Sequence, residues 1–318
     1  MSPPRLTPSP PSPPPPLQDR TTFEAVATDH LRLSGVYWGA AALACMGTLA
    51  ALDADETAAF VAACAKPCGG HGGAERHDAH LLHTLSAVQV AALTDRMDVI
   101  DADAVAAFVA GLQRPDGSFA GDAGGEVDTR FSYCALSVLS MLGRLDAVDV
   151  PAAAAYVLSC RNFDGGFGAT PGGESHAGQV FVCVAALAIA GALAALDADA
   201  LGWWLAERQG AGGGLNGRPA KLPDVCYSWW CLSSLALLDR LHWIDGAALT
   251  AFILGCQDPH SGGISDRPDD AADVYHTFFG VAGLSLLGHP GLARINPTYA
   301  LPEAALARTA VGGGRRTR

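Results

Sequence analysis

Glycine turns recur along this chain at Gly69, Gly117, Gly165, Gly213 and Gly262, separated by 48, 48, 48 and 49 residues. A fixed period of this length means a stack of like supersecondary units, each too small to bury its apolar face alone. Within the unit at 145–191, Asp149 and Pro151 read as a helix start, followed by a helix-forming run over 152–159. Turn chemistry at 160–168 breaks that helix, and a second start near Ser175 leads into an apolar run over 180–193. That run is long enough for a helix and lacks the alternation of a strand. Each unit is therefore read as helix, glycine turn, helix. Five clear units and a fainter one at 23–60 predict six helical hairpins.

The second helices are apolar nearly all round, and neither end of the array carries the polar cap that an open solenoid requires. Burial on both sides predicts an all-α fold, an α/α toroid in which a double ring of six hairpins surrounds a central cavity. The chain then forms one continuous body over 21–310. Residues 1–20 are expected to be a disordered proline-rich tail, and 311–318 a disordered basic one.

A net charge of −12 argues against nucleic acid as a partner of the surface as a whole. Nine cysteines without framework spacing indicate reduced thiols and a cytoplasmic setting. No run of about 18 apolar residues free of glycine and charge marks a membrane span.

The repeat gives every residue a phase. Counted from the turn glycines, Asp128, His176, Asp224 and Asp273 stand at +11, Arg130 and Cys226 at +13, and His276 at +14. Polar, metal-capable residues thus gather near the start of each second helix. If those helices line the lumen, all reach one rim. Asp224, Cys226 and His276 supply a carboxylate, a thiolate and an imidazole, a set that suits zinc and leaves a fourth position open. Asp266, Asp269 and Asp270 read either as an ordinary acidic loop or as help for a magnesium ion near a diphosphate. Arg218 and Lys221 cluster just before the proposed ligands and, with His176, suit diphosphate oxygens. Tyr37, Trp38, Phe131, Tyr133, Phe181, Tyr227, Trp229, Trp230, Tyr275 and Phe279 share similar phases and would give an aromatic lumen able to hold a long apolar chain. His77, His80 and His83 are read as helix surface or lumen lining. Cys64 and Cys68 are read as structural thiols, and Cys183 and Cys231 as core.

Several motifs carry a resemblance. Asn162-Phe163-Asp164-Gly165-Gly166-Phe167-Gly168, Glu174-Ser175-His176-Ala177-Gly178-Gln179, Gly214-Leu215-Asn216-Gly217-Arg218-Pro219, Leu222-Pro223-Asp224-Val225-Cys226-Tyr227-Ser228-Trp229-Trp230 and Tyr275-His276-Thr277 resemble the β subunits of protein prenyltransferases. Within that family the chain is most similar to the Rab geranylgeranyltransferase (type II) branch, over roughly 25–308.

The resemblance implies an α/α toroid paired with an α subunit, and zinc on Asp224, Cys226 and His276. It implies diphosphate contacts from His176, Arg218, Lys221 and Tyr227. It implies a lipid pocket that takes in Ser34, Trp38, Leu85, Arg130, Ala177, Gly178, Ser228, Trp229, Trp230 and Phe279. Ser34 and Leu85 match the positions that select lipid length, and a small Ser34 leaves room for a C20 chain. Farnesyl members carry lysine where this chain has Asp270, which favours Mg²⁺ with the diphosphate and makes Asp266 a candidate ligand.

The implied reaction moves a geranylgeranyl group from its diphosphate, through a thiolate held at zinc, to C-terminal cysteines of Rab GTPases presented by an escort protein. The alternatives are a type I geranylgeranyl or farnesyl β subunit, a terpene cyclase, and a non-catalytic lipid- or peptide-binding toroid. A protonating cyclase would need an Asp-x-Asp-Asp acid motif, to which Asp53-Ala54-Asp55-Glu56 comes nearest.

Overall fold

The structure is a computed structural model that describes residues 23–260 and 262–313. The proline-rich start and the basic end at 314–318 lie outside the described residues. A short helix, α1 (Phe23–Ala27), precedes an alternating series. Six helices form an inner ring: α2 (Arg32–Cys45), α4 (Leu81–Leu93), α6 (Thr129–Leu142), α8 (Ala177–Ile189), α10 (Cys226–Leu237) and α12 (Val274–Leu286). Five lie outside them: α3 (Ala54–Cys64), α5 (Ala102–Ala110), α7 (Val150–Ser159), α9 (Ala198–Ala206) and α11 (Gly246–Gly255). Each inner helix packs on the next, and α12 packs on α2, so the ring is closed. This is the α/α toroid that the period predicts.

The inner helices are buried between the lumen contents and the outer layer, which is why they are apolar all round. The outer helices start on a second 48-residue rhythm. Asp53, Asp101, Asp149, Asp197 and Asp245 are their N-caps, each accepting from a backbone N–H two or three residues on. Such a cap contributes about 1 kcal/mol by satisfying an otherwise unpartnered helix donor. Asp53 is therefore occupied as a cap, and Asp55 pairs with Arg96, so this nearest approach to a cyclase acid motif is taken up by local structure.

The turn glycines pack one unit against the next. Gly117 has φ +87°, and a Cβ there would lie 2.2 Å from the carbonyl oxygen of Ala152, in the first turn of the following outer helix. Only a glycine lets the turn rest on that backbone.

A further set of bonds fixes the register of the inner ring. The N–H groups of Leu33, Leu81, Thr129, Ala177 and Val225 donate to the carbonyls of Gly73, Gly121, Ala169, Gly217 and Asp266, at 2.8 to 2.9 Å. Each bond ties the N-terminus of an inner helix to a turn one unit further on. The inner helices therefore run parallel, with their N-terminal ends level around one mouth.

The far end of the ring is crossed by the C-terminal segment. A small antiparallel pair, β1 (Ile295–Asn296) and β2 (Leu301–Pro302), leads into α13 (Glu303–Leu306) and α14 (Ala310–Gly313). These pack on α2, α4, α6 and α12. Arg308 donates to the carbonyls of Ala92 and Leu93 at the C-terminus of α4, and Ala293 N donates to Cys45 O at the end of α2. Among the described residues, no helix is long and apolar enough to cross a membrane.

Candidate metal centre and cavity

The mouth is built from helix starts. Asp224 Oδ1, just ahead of α10, accepts from Cys226 N at 2.7 Å, so the carboxylate holds Cys226 at the first position of the helix. On α12, Asp273 Oδ1 caps by accepting from the N–H groups of Tyr275 and His276. Its other oxygen, Oδ2, lies 2.6 Å from His276 Nδ1, which leaves His276 Nε2 facing Asp224 Oδ1 at 3.5 Å. Ligand atoms of Asp224, Cys226 and His276 all lie within 4.8 Å of one another, and among the described residues no other group of three or more such side chains converges in this way.

Burial alone would lower the pKa of His276, but its bonds to Asp224 and Asp273 outweigh that and raise it to about 10. Burial would raise both carboxylates, and the same bonds to His276 bring them below the usual range. Burial, then the charge of Asp224, pushes the Cys226 thiol far up. One carboxylate oxygen, one sulfur and one imidazole nitrogen, with a carboxylate behind the imidazole, form a donor set that fits zinc.

Beside this cluster His176 caps α8. Its Nδ1 accepts from Gly178 N, so the ring hydrogen sits on Nε2, which donates to Tyr227 Oη at 3.1 Å. Burial and then Arg218 lower the pKa of His176, which keeps the imidazole neutral at pH 7. Tyr227 Oη thus accepts from His176 and has its own hydrogen left to donate. Its ring lies where a Cβ on Gly217 would stand, 2.4 Å away. Arg218 is ion-paired with Glu174. Lys221 is exposed, and its ammonium forms no ion pair among the described residues. Asp266 lies beside Arg267 at 3.7 Å, while its backbone carbonyl accepts from Val225 N. Asp266 belongs to no group of three or more ligand side chains among the described residues.

Within the ring is a cavity of about 430 Å³, inside the range of small-molecule sites. Ser34, Trp38, Leu85, Arg130, Trp229 and Trp230 line it. Ala177, Gly178, Ser228 and Phe279 do not. Ser228 faces α12, where a Cβ on Gly283 would meet its own Cβ at 2.9 Å. Phe279 stands behind the wall, its ring 4.9 Å from that of Trp230 and 6.1 Å from that of His276. The metal-ligand cluster thus adjoins the aromatic wall. Arg130 reaches back to Asp128 at 3.0 Å.

Two polar lining residues, Ser86 and Gln89, escaped the sequence reading. Of the histidines read as surface or lumen, His77 pairs with Asp29, while His80 and His83 line the cavity. His80, His83, Ser86 and Gln89 form a polar stripe at three-residue spacing from the start of α4 inward. His83 Nδ1 lies 3.2 Å from Ser34 Oγ. The role of Asp273 behind His276 was also legible from their separation of three on a helix start. Cys64, Cys183 and Cys231 are buried, and Cys68 is exposed.

A closed double ring of helices, with a carboxylate, a thiol and an imidazole converging at the mouth of an aromatic cavity, is the architecture of prenyl-chemistry toroids. The chain belongs to the prenyltransferase α/α toroid family, whose model matches residues 17–301. It is similar to the geranylgeranyl transferase type-2 β subunit of Saccharomyces cerevisiae, 59% identical over 56 residues. That stretch is 18% of this chain and spans 17% of the relative. In fold it is similar to Candida albicans protein geranylgeranyltransferase-I, solved with GGPP, at TM-score 0.79 and 22% identity over 91% of this chain and 93% of that one. A type II terpene cyclase of Scytonema, MstE, shares the fold at TM-score 0.57 and 16% identity, covering 80% of this chain and 86% of its own.

Proposed function

We propose that this chain is the catalytic β subunit of a zinc-dependent protein geranylgeranyltransferase of type II. It would pair with an α subunit and act on C-terminal cysteines of Rab GTPases presented by an escort protein. The observation that carries this reading is the convergence of Asp224, Cys226 and His276 within 4.8 Å, beside a cavity walled by Trp38, Trp229 and Trp230. The type-2 β-subunit relatives support the branch.

A zinc ion bound by these three residues would supply the Lewis acidity that makes a substrate thiol lose its proton near neutral pH. The sulfur then bonds to C1 of geranylgeranyl diphosphate while the C1–O bond breaks and diphosphate leaves. The chain's own residues do the rest. Asp273 fixes the imidazole of His276 so that Nε2 faces inward. Tyr227, oriented by His176, offers its hydroxyl hydrogen to a departing phosphate oxygen. Arg218 and Lys221 add positive charge, and the level N-termini of six parallel helices favour an anion at the mouth. Mg²⁺, with Asp266 as a candidate ligand, would share the diphosphate charge. The apolar cavity excludes water and holds the isoprenoid in line, which lowers the entropic cost of encounter.

The test is a transfer assay of the chain with its α subunit and an escorted Rab, comparing C20 and C15 donors with and without a zinc chelator. We expect chelator-sensitive transfer that prefers C20. Cys226→Ser should abolish transfer while leaving diphosphate binding within about threefold, since its free energy comes mainly from the cavity. Transfer that ignores the chelator, or survives Cys226→Ser, would defeat the zinc-thiolate reading, and lipid binding with no transfer at all would leave a binding toroid.

A further inference from the structure

We propose that Ala300, on the strap that closes the far end of the ring, is a determinant of the isoprenoid length this cavity accepts. The inference rests on the lipid-cavity reading above and adds a residue that stands on none of the inner helices. The strap crosses the C-terminal ends of the inner helices, opposite the mouth. Ala300 lines the cavity and is otherwise enclosed, at 3% exposure.

Its backbone is pinned by three neighbouring helices. Tyr37 Oη, from α2, donates to Ala300 O at 2.7 Å. Gln89 Nε2, from α4, donates to Tyr299 O at 3.1 Å. Tyr133 Oη, from α6, donates to Thr298 O at 2.9 Å. Three successive carbonyls are thus held from three sides. Asn296 holds the strap from within, its Oδ1 accepting from the N–H groups of Thr298 and Tyr299. Ala300 keeps φ +54°, a left-handed conformation that costs a non-glycine residue. These bonds hold it there.

A wall pinned in this way does not retreat before a ligand. Because Ala300 is enclosed on every side but the cavity, a larger side chain must take its volume from the lumen. A smaller one adds to it. The bound chain's far end would feel the change, and its diphosphate end, at the mouth, would not. Shorter chains that stop before the strap should be indifferent to the residue at 300.

The test uses the full chain with its α subunit. Binding of C15 and C20 prenyl diphosphates is measured by competition with a fluorescent prenyl diphosphate, independently of transfer. In Ala300→Leu we expect C20 affinity to fall about tenfold or more, with C15 affinity within about twofold. In Ala300→Gly, which also relieves the left-handed strain, the preference for C20 over C15 should rise about threefold, the worth of one methyl group. A merely structural role would weaken both lengths alike in both variants, and that result overturns the proposal. If Ala300→Leu does not fold, an unchanged C20-to-C15 ratio in Ala300→Gly overturns it alone. Failure of the unsubstituted chain to bind either donor would instead bring down the lipid-cavity reading on which this one stands.

Discussion

Asp273 uses its two oxygens for different tasks: one starts α12, the other orients the imidazole of His276. Asparagine caps helices nearly as well as aspartate but brings no charge to the imidazole. Asp273→Asn should therefore leave stability close to unchanged while lowering zinc affinity by about 10- to 100-fold. Competition against a chromophoric chelator would show this, and equal affinity would remove Asp273 from the metal centre. A second prediction concerns the buried histidines. Burial depresses both His71 and His83 to about 4, and neither ring nitrogen of His71 has a partner. Unfolded, these rings protonate near 6.5, so the folded state is favoured above that value and loses ground as pH falls towards 4. Thermal melts should show declining stability across that window, with a shallower slope in His83→Gln. An identical slope would mean His83 titrates as it does when unfolded. The three candidate metal ligands were legible in the sequence because the repeat placed residues about one period apart at one height. The polar stripe of α4 was not, because histidine on an apolar helix reads equally as surface or lumen until the ring's inner face is known.

The units themselves obey a local grammar. Gly117 and Gly165 share a left-handed φ, yet a Cβ meets the next helix's backbone at 2.2 Å in the first case and at 3.7 Å in the second. Gly165→Ala should cost only the conformational term, about 1 kcal/mol, whereas Gly117→Ala should cost more than about 2 kcal/mol because backbone must move. Urea titration of the two variants separates them, and equal losses would show that the contact is not felt. The glycine rhythm was readable from the chain. The aspartate rhythm, Asp53 to Asp245 at intervals of 48, was equally present, but single members such as Asp149 were read as helix starts without the period. The C-terminal strap could not be anticipated. Residues 295–302 stand outside the period, and what places them is bonding to Tyr37, Gln89 and Tyr133, residues 165 to 263 positions away.

At the scale of the molecule, closure separates this protein from an open array of repeats. A solenoid can lose a terminal unit and keep the others, since each unit touches only its neighbours. Here α12 seals the ring against α2, and removing it exposes apolar faces on both sides of the gap. Deleting residues 246–313 should therefore abolish cooperative unfolding altogether and should not leave a shorter, stable stack. Calorimetry of the truncated chain would decide, and a sharp residual transition would contradict closure as a source of stability.

The bonds that tie each inner helix to the following turn carry one more implication. A single residue gained or lost between a turn glycine and its inner helix would rotate that helix by about 100° and swing its rim residue away from its fellows. The opposite face, where short 3₁₀ turns such as Leu145–Ala147 link inner to outer helices, bears no such obligation. Insertions and deletions among natural relatives should accordingly collect on that face, leaving the length of every mouth-side turn almost invariant, as a lock tolerates wear on its case but not on its tumblers.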